Sequence, residues 1–326
     1  MQRAAAITLL ALAGFGLAFA SHAQFSTEPL GLTLYPDYPR PYQTVTVVPE
    51  SSSIDLSASR VTATVNGTTV SEGSGAEPIY VTVGGPGTVT TVVVRASTGG
   101  QTYTKTLAIR PADVALIVEA QSSAHPFYEG GRLVASEGGL RIVAIPDLRT
   151  SSGAVLSAND LVYTWRNGEQ ILQRESGIGK YVLTATAPVL HRDARISVTV
   201  TSQDQSVVAQ AATAIAPSDP TVRVYRRDPL LGPLYGTALP KTTQLAGTEE
   251  SFRAVPYFFG QPPGFVWQVN GVPNDTDDDI TVRAVGEGRG RALLGVTARS
   301  STSLESAGSS LAVEFGENSG FSFFGL

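Results

Sequence analysis

The dipeptide Asn-Gly occurs at Asn66-Gly67, Asn167-Gly168 and Asn270-Gly271, at spacings of 101 and 103 residues. Asn-Gly supplies the positive φ angles that a two-residue hairpin turn requires. Each copy ends a strand-like run: Arg60 to Val65, Leu161 to Arg166, and Phe265 to Val269. A hairpin repeated at nearly constant intervals along 326 residues predicts three like units. Trp165 lies two residues before its Asn and Trp267 lies three before. That offset predicts a one-residue bulge in one of the hairpins.

Other landmarks repeat with it. A strand ending in Pro precedes each central hairpin: Val45 to Pro49, Arg141 to Pro146, Phe252 to Pro256. A closing strand pair ends each unit: Val89–Ala96 with Thr102–Ile109, Ile196–Ser202 with Val207–Ile215, Leu293–Arg299 with Ser309–Phe315. His125-Pro126-Phe127-Tyr128-Glu129-Gly130 matches Gly232-Pro233-Leu234-Tyr235-Gly236. Runs such as Val45-Thr46-Val47 and Ser197-Val198-Thr199-Val200 alternate in β-branched residues, the pattern of half-buried strands. No helical period is sustained after residue 23, so the expected fold is all-β. Charged residues are 16% of the chain against about 25% in typical soluble domains, which argues against a coiled coil.

Units of about 100 residues with some seven strands and a Trp in the third strand describe an immunoglobulin-like sandwich. The strand Tyr163-Thr164-Trp165-Arg166-Asn167-Gly168 resembles the third strand of bacterial Ig-like and PKD-like domains. Unit one departs from it, since Val65 or Ala63 stands where the Trp would be. The cysteine pair and tyrosine corner of antibody-type domains are absent from the pattern. As a whole the chain resembles secreted bacterial tandem Ig-like/PKD-like repeat proteins, of the kind found in candidate-phylum genomes. The resemblance implies an envelope or surface role. Trp165 and Trp267 share a strand face with other apolar residues and are expected in the core.

The first segment reads as an address. Met1-Gln2-Arg3 is a short positive start, Ala4 to Ala20 is an uncharged apolar run of 17 residues, and small-x-small sites follow. This is the layout of a signal peptide, with cleavage expected after Ala23. Its removal deletes Arg3 and no acid, changing the net charge from −5 to −6. The expected organisation is therefore three tandem immunoglobulin-like β-sandwich domains, 24–111, 112–218 and 219–316, after a signal peptide (1–23), with a flexible tail (317–326). No later stretch reaches spanning length, so no transmembrane span is expected in the mature chain.

Chemistry is sparse. With 23 basic and 28 acidic residues the chain has no nucleic-acid footprint. Zero Cys removes disulfides, thiolate metal sites and a Cys nucleophile. His125 and His191 lie in different turns, and His191-Arg192-Asp193 reads as a solvated corner. Gly84-Gly85-Pro86-Gly87 and Gly286-Glu287-Gly288-Arg289-Gly290 lack a following helix and read as turns, not phosphate loops. No catalytic residue and no organic cofactor is expected.

Three candidate contact sites remain. Within Asn274-Asp275-Thr276-Asp277-Asp278-Asp279, the carboxylates of Asp275, Asp277 and Asp279 alternate as calcium ligands can, although the Gly and distal Glu of the full loop motif are missing. Tyr35-Pro36-Asp37-Tyr38-Pro39-Arg40-Pro41-Tyr42 interleaves prolines with Tyr35, Tyr38 and Tyr42, rings that can stack on a sugar or pack on a partner, or cap the sandwich end. Tyr257-Phe258-Phe259 reads as a similar patch. Arg223, Arg226 and Arg227 sit where they could pair with acids across the join of units two and three. The apolar tip Phe321-Ser322-Phe323-Phe324-Gly325-Leu326 either folds back as an edge strand or docks through Phe321, Phe323, Phe324 and Leu326. The expected partners are an envelope protein or cell-wall polysaccharide. The expected function is a non-enzymatic, exported adhesion, scaffold or presentation module. Carbohydrate or cell-wall binding, and a subunit of a pilus or secretion assembly, are the alternatives.

Overall fold

A computed structural model describes residues 28–75, 77–285 and 288–316. The signal-peptide reading and the apolar tip both lie outside the described residues. Those described form strands and turns, with two single-turn 3-10 segments at Leu56–Ala58 and Ala158–Asp160. The described residues are all-β, and each unit is a sandwich of two sheets.

Unit one contains β1 (Gly31–Tyr35), β2 (Thr44–Glu50), β3 (Arg60–Val65), β4 (Thr68–Ser74), β5 (Ile79–Thr82), β6 (Thr90–Thr98) and β7 (Gln101–Ile109). One sheet runs β1-β2-β5 and the other β4-β3-β6-β7. Unit two contains β8 (Asp113–Gln121), β9 (Gly139–Asp147), β10 (Val162–Asn167), β11 (Gln170–Ile171), β12 (Gly177–Ile178), β13 (Val182–Thr186), β14 (Ala194–Thr201) and β15 (Val208–Ile215). Its sheets run β13-β9-β8 and β11-β10-β14-β15, with β12 also on β10.

Unit three contains β16 (Thr221–Asp228), β17 (Gly232–Pro233), β18 (Thr242–Gln244), β19 (Glu249–Tyr257), β20 (Gly264–Val269), β21 (Val272–Asp275), β22 (Asp279–Arg283), β23 (Gly290–Arg299) and β24 (Ser306–Phe315). Here the orders are β17-β16-β19-β22 and β18-β24-β23-β20-β21. The β18–β24 pairing is parallel. In all three units the central hairpin lies in the same sheet as the closing strand pair.

Alternation decides which side is buried. Val92, Val94 and Ala96 of β6 point inward with no measurable exposure, as do Val198 and Val200 of β14. Each unit closes its own apolar core: Leu30 to Ile109, Ala112 to Ile215, and Val222 to Val313. Trp165 and Trp267 are completely buried at the centres of the second and third. Their indole N–H groups donate to the backbone oxygens of Lys180 (2.8 Å) and Asp277 (2.9 Å). Ala63, also fully buried, takes the equivalent place in unit one.

The hairpins refine the repeat. In units one and three both turn residues have positive φ: Asn66 48° and Gly67 85°, Asn270 51° and Gly271 81°. Those two hairpins carry register shifts, after Ala63 and after Trp267. In unit two Asn167 instead pairs with Gln170 as the last strand residue, so the turn is Gly168-Glu169. The bulge expected in one copy is thus found in two, and the turn of the middle copy is displaced by one residue. The equivalent residues are Asn66, Gly168 and Asn270, with backbone N–H bonds of 2.8 Å to Thr91, Arg195 and Leu293 respectively. Counted that way the repeat is regular, and it places Ala63, Trp165 and Trp267 in register.

Tyr163, beside Trp165 in the same core, donates its phenol to the Ala158 carbonyl oxygen at 3.0 Å. Burial pushes its hydroxyl up to about 12 from 10.0. A raised pKa in the folded state favours the protonated form. The stabilisation is therefore complete below pH 10 and is lost as pH rises from 10 to about 12. Unit two is expected to lose stability across that window, and Tyr163→Phe is expected to flatten the alkaline slope while costing about 1 kcal/mol at neutral pH. Denaturant midpoints measured from pH 8 to pH 12 would read both effects.

Candidate functional site

The first candidate is the loop from Pro36 to Gln43. Its three prolines remove three backbone donors, and the segment bends where an extended run was expected, closing in a turn over Arg40–Gln43 in which Tyr42 takes φ 63°. Its C-terminal end is tied down. Gln43 N–H bonds Arg40 O at 3.2 Å, Arg40 N–H bonds the Gln43 side-chain oxygen at 2.9 Å, and Tyr42 N–H bonds Gly84 O at 3.0 Å. Unit two fixes the middle: Ala112 N–H donates to Pro39 O at 3.2 Å, and Arg40 pairs with Asp113 at 3.3 Å. Nearby, Gly87 approaches Gly153 so closely that a Cβ there would lie 3.1 Å from the Gly153 Cα.

The three tyrosines differ. The Tyr42 ring lies on the backbone of Gly85, where any side chain would strike its hydroxyl. Tyr35 is 54% exposed at the end of β1. Tyr38, 39% exposed, reaches across the join of units one and two. There it lines a cleft of about 680 Å³ against the outer faces of β10, β14 and β15. Arg40, Arg166, Arg195, Ser197, Thr199 and Gln210 share the lining, and Gly168, Ala211 and Ala212 keep the floor low. Arg166 donates to the Glu169 carbonyl oxygen at 3.4 Å, and among the described residues no carboxylate pairs with Arg166 or Arg195.

The acidic turn is arranged otherwise than calcium would need. Asp279 is held by Arg253 through two bonds of 2.6 and 2.8 Å and lies 3.3 Å from Arg227. Asp275 accepts from the backbone N–H of Thr276 and Asp277, and Asp277 accepts from that of Asp278. The structure does not bring Asp275, Asp277 and Asp279 together, because a cation already occupies the charge of one and backbone donors turn the other two aside. Among the described residues no group of three His, Cys, Asp or Glu side chains has metal-holding geometry. A resident ion at a hundred times its Kd would add about 2.7 kcal/mol. Chelation is expected to leave the unfolding midpoint of unit three unchanged, read by scanning calorimetry with EDTA or calcium.

Tyr257-Phe258-Phe259 is not an exposed patch. Tyr257 and Phe259 are 6% and 1% exposed. Phe259 belongs to the core of unit three, while Tyr257 and Phe258 form the joint with unit two. His125 stacks on Tyr235 with centroids 4.9 Å apart and planes at 6°, and Tyr128, Tyr225 and Tyr257 meet it edge-on. The Tyr225 and Tyr257 hydroxyls bond at 2.6 Å, and burial foremost raises the Tyr257 hydroxyl well above its ordinary range. Ser123 bonds Phe259 O at 2.9 Å and receives the Phe258 N–H at 2.8 Å. The matching segments at 125–130 and 232–236 are thus the two halves of one contact.

Two further features went unanticipated. Glu305 is buried, and its carboxylate accepts from Gly260 N–H (3.0 and 3.3 Å) and the Ser303 hydroxyl (3.1 Å). Of the three arginines expected to bridge units two and three, two pair inside unit three instead: Arg226 with Glu250, Arg227 with Asp279. His191 sits at φ 61° in an exposed turn, and Arg192 N–H bonds Val189 O at 3.1 Å. No helix among the described residues is long and apolar enough to cross a membrane.

No protein-family model matches the chain. A search of curated proteins finds no match either. Among solved structures, the three N-terminal domains of the bacteriophage RB49 Highly Immunogenic Outer Capsid protein are 13% identical over 88% of this chain and 98% of theirs, with TM-score 0.25. The central fibronectin-III array of RIM-binding protein is 13% identical over 89% of this chain and 98% of its own, with TM-score 0.29. Sidekick-1 immunoglobulin domains 1–5 are 11% identical over 85% of this chain and 56% of theirs, with TM-score 0.30.

Proposed function

We propose that the chain is a non-enzymatic, exported envelope or surface protein, an adhesion, scaffold or presentation module of three units at 24–111, 112–218 and 219–316. The observation that carries this reading is the pair of built joints. At Gly87–Gly153 and at Gly138–Gly260, backbone meets backbone closely enough that a side chain would intrude. Sandwiches held that way present their loops at fixed separations, which a scaffold needs and a flexible string lacks. The apolar tip with Phe321, Phe323, Phe324 and Leu326 is the proposed partner-binding peptide, tested by deleting residues 317–326.

The location is tested by protease treatment of intact cells of the source organism, with the protein followed by antibody. Loss of signal from intact cells supports a surface module. Full protection, with loss only after lysis, overturns it.

A second reading, binding of carbohydrate or cell-wall polysaccharide, is favoured by Tyr38 at the mouth of a polar cleft.

A further inference from the structure

We infer that the cleft between units one and two binds an acidic polysaccharide, one bearing carboxylates such as a uronate polymer. The inference names a ligand class for the carbohydrate reading and leaves the presentation reading independent of it.

The floor is the outer face of one sheet. Arg166 stands directly opposite Ser197, and Arg195 lies two residues before Ser197 on the same face of β14. That diagonal puts the two arginine stems about 7–8 Å apart. Thr199 and Gln210 are cross-strand partners on the next rung, and Ala212 beside Ser197 leaves space above the strands. The floor therefore offers hydroxyl and amide groups flanked by two guanidinium groups. Arg40 and Tyr38 overhang it from the other unit, held there by the Pro39 and Asp113 contacts.

Charge decides the sign of the ligand. Arg40 is matched by Asp113, whereas Arg166 and Arg195 face only Glu169 in the cleft. Guanidinium forks suit carboxylates geometrically and are less costly to desolvate than ammonium groups. Polar hydroxyl partners and one flat aromatic ring suit a saccharide, whose ring presents C–H groups on a face and hydroxyls at its rim. An acidic peptide would want an apolar anchor pocket, and this lining holds no large aliphatic side chain. The volume, about 680 Å³, lies inside the range of ligand sites, about 300–1,000 Å³.

The test is titration calorimetry of the purified protein against oligomers of galacturonate, mannuronate and hyaluronate, with methyl-esterified galacturonate as the uncharged twin and polyglutamate as the acidic peptide. At least one uronate is expected to bind, at least tenfold more tightly than an uncharged ester, and to weaken with salt. Arg166→Gln with Arg195→Gln is expected to lose at least tenfold, and Tyr38→Ala several-fold, with Tyr38→Phe retaining binding. These side chains lie outside the three cores, so thermal midpoints should hold and serve as the folding control. Binding to none of the uronates overturns the inference. So does equal affinity for acid and ester, indifference to the double substitution, or polyglutamate binding as tightly. None of these outcomes touches the cell-surface test.

Discussion

Trp165→Ala is expected to destabilise unit two by about 3–5 kcal/mol, a large part of the total stability of a domain of this size. The indole is fully buried between the two sheets, packed among β9, β13 and β14 residues such as Ile142, Leu183 and Val198. Alanine there leaves a cavity that strands fixed by a six-residue ladder to β14 cannot collapse to fill. It also strips the Lys180 carbonyl of its 2.8 Å donor. Unit one tolerates alanine at the equivalent position 63 because its core contains no residue larger than Ile or Leu among its fully closed members. The chain has two Trp, one in unit two and one in unit three, so each reports on its own unit. In Trp165→Ala the fluorescence of Trp267 follows unit three alone, and circular dichroism follows the rest. A transition of unit two moved by less than about 1 kcal/mol would show that the indole is not the keystone of that core.

Much of this is legible in the sequence. Short-range alternation and Asn-Gly turn chemistry are local signals, and they located the central and closing strands of every unit. The imperfect spacing of Asn-Gly was legible too, but its cause was not. Asn167 lies in the strand because its neighbour Gly168 can take the positive-φ turn position alone, at 57°. Which of two turns one residue apart forms is not decided by the dipeptide alone.

Contacts between units were the least legible. His125 and Tyr235 are 110 positions apart, and nothing local distinguishes a stacked interface ring from an exposed loop ring. The segments containing them were recognised as repeats of one another. That repeated loops should face each other across a joint is a property of how sandwiches are strung, not of either loop. For the acidic turn the legible signal is composition. Carboxylates at alternating positions look like cation ligands, and the cation supplied here is Arg253, 26 residues upstream on β19. The basic cleft gave no linear signal, because Arg40, Arg166 and Arg195 come from two units and meet only after folding.

Gly260→Val is expected to open the joint between units two and three. A Cβ at this position would lie 3.0 Å from the Ser136 carbonyl oxygen and 3.2 Å from the Gly138 Cα, both backbone atoms. Neither can rotate away, so the two segments must part. Parting them breaks the Ser123 bonds to Phe258 and Phe259 at 2.8 and 2.9 Å and unstacks His125 from Tyr235. Each unit keeps its own core, since the three are closed separately. The expected result is therefore a larger radius of gyration by small-angle scattering and a new cleavage near Ser218–Pro220, with the separate unfolding of units one and two unchanged. Tyr235→Ala, which removes the stacking partner and leaves the backbone pairing, is expected to loosen the joint less. Because Gly260 N–H also serves Glu305, some loss within unit three is expected from the valine variant, and the tyrosine variant separates that effect from opening of the joint. Unchanged scattering and protease resistance in both variants would mean that the ring stack and glycine contact do not set the angle between these units, and the fixed-spacing argument for a presentation role would fall with them.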